Sequence, residues 1–129
     1  MINQIHVGLP VSDLTKSTEF YSNLGFHQNM NFSGKEMSQF HVTDCIHLSL
    51  FAQSNFLKHI SNPNVDKSKF SLVSSALSMS SKEAVDDIIK LALDSGASLF
   101  TEPNDNDFMY MNGFTDPDGH MWTVYFMKI

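Results

Sequence analysis

The side chains best suited to chemistry in this sequence are two histidines, His6 and His47, and a cysteine, Cys45, close to the second. From Gln4 to Val11, Ile5, Val7, Leu9 and Val11 alternate with Gln4, His6, Gly8 and Pro10, the period of a strand with one packed face. From Cys45 to Phe51, Ile46, Leu48 and Leu50 alternate with Cys45, His47, Ser49 and Phe51. Neighbouring strand residues point to opposite faces. With the aliphatic sets packed, His6, Gly8 and Pro10 share the other face with Cys45, His47, Ser49 and Phe51. An imidazole titrates near neutrality, so His6 or His47 is suited to general acid/base work. Cys45 would become a reactive thiol if His47 favoured the thiolate. Two residues apart on one strand face places the Cα atoms ~6–7 Å apart, however, and a lone cysteine is more often inert.

The second half of the chain supplies hydroxyls and aromatics instead. Ser74, Ala76 and Ser78 alternate with packed residues, as do Met121, Thr123, Tyr125 and Met127 with Trp122, Val124 and Phe126. Tyr110 and Tyr125, with Phe51 and Phe108, could stack a flat ligand, although such aromatics are commonly plain core. Met109 and Met111 with Met121 and Met127 would make an adaptable apolar wall. The acidic run Asn104–Asp107 reads as solvated surface, and His120 as a turn residue.

These residues need elements to hold them, and the elements repeat. After the first strand, Ser12-Asp13 offers N-cap chemistry. Leu14, Phe20, Tyr21 and Leu24 then make a helical stripe ending at Gly25, a residue suited to a left-handed cap. Strands are expected over Phe26–Phe32, Met37–Val42 and Cys45–Phe51, with turns at Ser33-Gly34-Lys35 and Thr43-Asp44. Phe56–Lys69, centred on Asn62-Pro63-Asn64, has linker composition. The order then recurs: a strand over Leu72–Met79, a Ser80-Ser81-Lys82-Glu83 capping box, and a helix with Val85, Ile88, Ile89, Ala92 and Leu93 on one face, ended by Gly96. Strands follow at Ser98–Thr101, Phe108–Phe114 and Met121–Met127, the last two joined by the turn signal Asp116-Pro117-Asp118-Gly119. The reading is one α+β domain over residues 1–129 made of two βαβββ modules, 1–62 and 68–129, whose sheets curve around a pocket.

Composition narrows the partners. With 129 residues, 42% hydrophobic and 17% charged, a packed core is affordable without staples. The formal charge of -6 argues against nucleic acid and anionic membrane surfaces. Neither a membrane span nor a signal peptide is evident. The eight basic residues are all lysine, so a two-pronged guanidinium grip on phosphate or carboxylate is lacking. One cysteine fits a reducing, cytoplasmic setting.

The opening His6-Val7-Gly8-Leu9-Pro10-Val11-Ser12-Asp13-Leu14-Thr15-Lys16-Ser17, with Phe20-Tyr21 and Leu24-Gly25-Phe26, resembles the start of vicinal oxygen chelate proteins. The closing Phe114-Thr115-Asp116-Pro117-Asp118-Gly119-His120-Met121-Trp122 resembles their end signature. That superfamily includes glyoxalase I, bleomycin-resistance proteins and extradiol dioxygenases, so the resemblance implies the fold more narrowly than the function. Its metal-dependent members place one ligand on the first and one on the last strand of each module. Carried over, those positions are His6, His47, Ser74 and Thr123. Two imidazoles suit a divalent ion (Ni, Zn, Co, Mn or Fe), whereas two hydroxyls are poor ligands and Thr123 lacks the proton-transferring carboxylate.

No cofactor is therefore expected; if a metal binds, its ligands are His6 and His47. The expected function is binding of a small, mostly neutral organic molecule in the sheet cavity without a complete metal site, with His6, His47, Ser49, Phe51, Ser74, Tyr110, Thr123 and Tyr125 as the binding group. The alternatives are a lactoylglutathione-lyase-like metal enzyme using His6 and His47, or a metal-free acid/base enzyme using either one. The resemblance also implies a homodimer.

Overall fold

The computed structural model describes residues 1–54, 73–99 and 101–128. The chain divides into two compact units, Met1–Val65 and Asp66–Ile129. The expected linker and the junction between modules lie outside the described residues.

In the first unit, β1 (Ile5–Val11) leads to α1 (Leu14–Asn23), then β2 (His27–Asn29), a short 3-10 turn (Met30–Phe32), β3 (Met37–His41) and β4 (Ile46–Ala52). Asp13 caps α1 by accepting a hydrogen bond from the Lys16 amide at 3.0 Å. The helix ends where Gly25, at φ 98°, takes the left-handed turn. The Gly25 amide donates to Ser22 O and the Phe26 amide to Tyr21 O, so two otherwise orphaned carbonyls are satisfied.

The sheet order is β1-β4-β3-β2, with β1 parallel to β4 and the other pairs antiparallel. Leu9, Val11, Phe40, Leu48 and Leu50 are buried on one face with Phe20, Tyr21 and Leu24 of the helix segment. Tyr21 meets Phe40 ring to ring at 6.2 Å, and Thr18 bonds Ser38 at 2.7 Å. The packed face thins toward one end: Ile5 and Ile46, paired in register, remain exposed.

The strand expected to reach Phe32 stops at Asn29. The Asn29 side chain accepts from the Asn31 amide, and Ser33 Oγ donates to the Asn29 carbonyl. Both bonds favour a turn over continued strand.

The second unit runs β5 (Ser74–Ser78), α2 (Lys82–Asp94), β6 (Ser98–Leu99), β7 (Asn104–Asp105), β8 (Met109–Thr115) and β9 (Met121–Met127). The strand order is β5-β9-β8-β6, with β7 also on β8. Helix α2 is capped by Ser81, whose hydroxyl accepts from the Ala84 amide at 3.0 Å. The cap is therefore one residue later than the Ser80 box. Its end repeats that of α1: Gly96, at φ 107°, donates to Leu93 O, and Ala97 donates to Ala92 O. Val85, Ile88, Ile89 and Ala92 are buried with Phe114, Trp122 and Val124. The turn after β8 is tied by Asp116, whose carboxylate accepts from the Asp118 and His120 amides.

Residues 104–107 are exposed, and one of them also ties side chains together. Asp105 lies on β7 and bridges Lys82 at 2.9 Å and also Lys128. Lys82 Nζ stands 4.7 Å from the centre of the Tyr110 ring, and Tyr110 donates its hydroxyl to Asp86 at 2.5 Å. That bond, with burial, pushes the Tyr110 phenol up from 10.0 to about 12, and hydrogen bonding to Asp105 raises the Lys82 ammonium.

Both groups hold their protons more tightly folded than unfolded. Their stabilisation is thus complete below about pH 10 and is lost as pH rises through the folded values. Tyr110→Phe should cost about 1–2 kcal/mol near neutrality. Urea midpoints followed from about pH 8 to about pH 11 should fall more steeply for the wild type than for this variant; equal slopes would contradict the assignment.

Candidate functional site

On the face of the first sheet turned away from α1, register arranges the side chains in rows. His6 pairs with His47, His47 with His41, and His41 with His27. In-register partners share a face, so four histidines from four strands form one row. Beside it runs Gly8, Ser49, Gln39 and Asn29, and beyond that Pro10, Phe51 and Met37. The face grades from imidazole through small polar and amide groups to apolar ones.

Ring contact runs through His6, His47 and His41. His6 stacks on His47 with centroids 4.6 Å apart and planes at 14°, and His41 meets His47 edge-on at 4.6 Å and 61°. His6 is exposed, whereas His47 is only 4% exposed. Neither ring nitrogen of His47 has a hydrogen-bond partner among the described residues. Ser49 and Gln39 are buried next to it. Gln39 contacts His6 Nδ1 at 3.5 Å and accepts from Asn29 Nδ2 at 3.3 Å. Gly8 makes room in the middle row: a Cβ there would stand 3.1 Å from the Phe51 ring.

Of the residues expected to bind a ligand, His6, His47, Ser49 and Phe51 are brought together on this one face. Ser74, Thr123 and Tyr125 share a face of the second sheet, where Thr123 and Tyr125 are half-buried and Ser74 is exposed. The register corrects one equivalence: Ser74 pairs with Met121, and the residue opposite Thr123 is Ala76. A second correction concerns Tyr110. It pairs with Phe126, on the Trp122 and Val124 side, and bonds Asp86 of α2, so it lies on the helix-covered face. Cys45 falls in the turn before β4 and is exposed.

His41, His27, Gln39 and Asn29 were not among the expected site residues. Their signal lay in the two turns, since a hairpin centred on Asp44 puts His41 opposite His47, and one centred on Gly34 puts His27 opposite His41.

A groove of about 370 Å³ opens on the α1 side of the same sheet, bordered by Thr15, Thr18, Gln28, Lys35 and Ser38. Its Thr18 and Ser38 hydroxyls already bond each other, so it lacks the unsatisfied buried group that marks the histidine face.

Comparison with known proteins fits this architecture. The family model described as the Glyoxalase/Bleomycin resistance protein/Dioxygenase superfamily matches residues 3–124. The chain belongs to that superfamily. A hypothetical protein from S. aureus is 26% identical, with a TM-score of 0.83 over 98% of this chain and 95% of that one. A glyoxalase/bleomycin resistance protein/dioxygenase family enzyme from Burkholderia phytofirmans PsJN is 18% identical, TM-score 0.77, over 94% and 95%. The fosfomycin resistance protein FosX from Mesorhizobium loti is 16% identical, TM-score 0.72, over 98% and 93%. The last two likenesses carry the fold alone. No match is found among curated protein sequences.

The superfamily's metal chemistry can be tested against the ring geometry. An imidazole ligates through a nitrogen lone pair that lies in the ring plane. Stacked rings inclined by 14° have planes that do not converge close to the pair, so His6 and His47 as arranged do not fit one shared ion. Among the described residues, no group of three or more His, Cys, Asp or Glu is placed to hold a metal.

The unsatisfied His47 ring gives a stability prediction. An unpaired buried polar group costs about 1–3 kcal/mol, and an apolar replacement of similar size removes that penalty. His47→Leu should leave the ligand-free protein as stable as wild type or up to about 2 kcal/mol more stable by urea denaturation. A loss above about 1 kcal/mol would mean that the imidazole is already satisfied.

Proposed function

We propose that this chain binds a small, mostly neutral organic molecule on the histidine face of its first module, without a metal site completed by its own side chains. The observation that carries the reading is His47, buried with both ring nitrogens unpartnered among the described residues. A neutral imidazole offers one N–H donor and one lone pair. A ligand bearing an acceptor and a donor, such as a carboxamide or a hydroxy-ketone, would satisfy both and recover their desolvation cost. The Pro10, Phe51 and Met37 row suits the ligand's apolar or aromatic part, with Met37 able to adapt in shape. The lack of arginine weighs against a dianionic ligand.

A second reading has support from the same residue. An imidazole whose nitrogens are uncommitted is also free to move a proton, so His47, or His6 stacked on it, could act as a general acid or base.

The test is a thermal-shift panel of neutral aromatic ketones, amides and phenols, with calorimetric titration of the hits. A ligand at a hundred times its Kd should stabilise the protein by about 2.7 kcal/mol, return chemically unchanged, and lose this effect in His47→Ala. Turnover abolished in His47→Ala or His6→Ala would instead favour acid/base catalysis. Tight stoichiometric binding of Ni, Zn, Co or Mn, lost in both variants, would overturn the proposal in favour of a metal enzyme.

A further inference from the structure

The amide groups beside the histidine row form a directed chain whose polarity can be read from one end to the other. It starts at a group of known direction, because the Asn31 backbone N–H only donates. Its bond to Asn29 Oδ1, at 3.1 Å, fixes which end of the Asn29 amide is oxygen. Asn29 Nδ2 must then donate, and it meets Gln39 Oε1 at 3.3 Å. That contact in turn fixes Gln39: its Nε2 is the end turned to His6, 3.5 Å from Nδ1. An amide nitrogen donates and does not accept. In a neutral ring this contact is a hydrogen bond when His6 Nδ1 accepts, with the ring proton on Nε2.

The alternative arrangement is self-defeating. Turning the Gln39 amide over would bring its NH2 against the Asn29 NH2, a donor facing a donor, and would lose one bond to invert another. The backbone around the chain is pinned as well. The Gln39 backbone N–H donates to Ser33 Oγ at 3.1 Å, and Ser33 Oγ donates to the Asn29 backbone carbonyl at 2.8 Å. Gln39 is only 9% exposed, so little water competes for its amide.

We propose that Gln39, oriented by Asn29, is a positioning residue that fixes the His6 tautomer with its proton on Nε2. The face then presents a directed N–H donor beside the unsatisfied His47 ring, which selects ligands carrying an acceptor oxygen, such as a ketone or amide carbonyl. This selectivity rests on the binding function proposed above; the tautomer itself does not.

The experiment reads the ligand-free protein. With nitrogen-15 in the histidines, long-range proton–nitrogen correlation spectra at about pH 9, where imidazoles are neutral, separate a protonated ring nitrogen from a bare one. His6→Ala identifies the His6 signals. In the wild type, His6 Nε2 should be protonated and Nδ1 bare. Gln39→Glu offers only acceptor oxygens to Nδ1 and should move the proton there. Asn29→Ala frees the Gln39 amide to turn and should give a mixture of tautomers, a change that a merely structural role would not produce.

A wild-type proton on Nδ1, or an Nε2–H tautomer untouched in both variants, overturns the inference. If Gln39→Glu does not fold, the wild-type spectrum and Asn29→Ala still decide. A correct tautomer in a protein that binds no panel compound supports this inference and counts against the binding function alone. An Nδ1–H tautomer in a protein that binds through His47 does the reverse.

Discussion

Strand β4 pairs in parallel with β1 and antiparallel with β3, and the chemistry of the first module depends on those two registers. Through them His47 lies between His6 and His41. The same registers put Leu48 and Leu50 under α1, buried with Phe20 and Tyr21. A slip of one residue would exchange the two faces, driving His47 and Ser49 into the helix core and Leu48 and Leu50 out of it. The apolar packing against α1 therefore fixes the position of the imidazoles on the opposite face.

Much of this was legible before the structure. The alternation in β1 and β4 sorted His6, His47, Ser49 and Phe51 correctly onto one face, because strand periodicity is insensitive to tertiary context once one face is packed. The helix ends were marked by Gly25 and Gly96, whose positive φ values an L side chain rarely adopts. What escaped the reading depended on pairing. Residue type alone groups Tyr110 with the stacking aromatics, whereas its pairing with Phe126 and its bond to Asp86 put it on the helix side. Ser74 was aligned with His6 by element order, yet Thr123 faces Ala76. His41 and His27 were within reach, since the turns at Asp44 and Gly34 dictate their partners.

The two modules are alike in scaffold and unlike in chemistry. Both helices start on a polar side-chain cap and end in the same glycine motif with paired amide-to-carbonyl bonds. In both, the first strand runs parallel to the last. Only the first places imidazoles across that parallel pair, where the second has Ala76 and Thr123. The first module also carries the Asn29–Gln39–His6 amide chain, whereas the polar groups of the second secure structure: Tyr110 to Asp86, and Asp105 to Lys82 and Lys128. Superfamily membership fixes the scaffold, and the histidine face is where the two modules of this chain differ.

The most direct test is a crystal structure of the protein with a stabilising neutral compound bound. The account predicts a ligand oxygen or nitrogen within hydrogen-bonding distance of a His47 ring nitrogen, with the apolar part of the compound against Phe51 and Met37. A ligand seated elsewhere with His47 still unpartnered, or a metal ion held jointly by a turned His6 and His47, would contradict it.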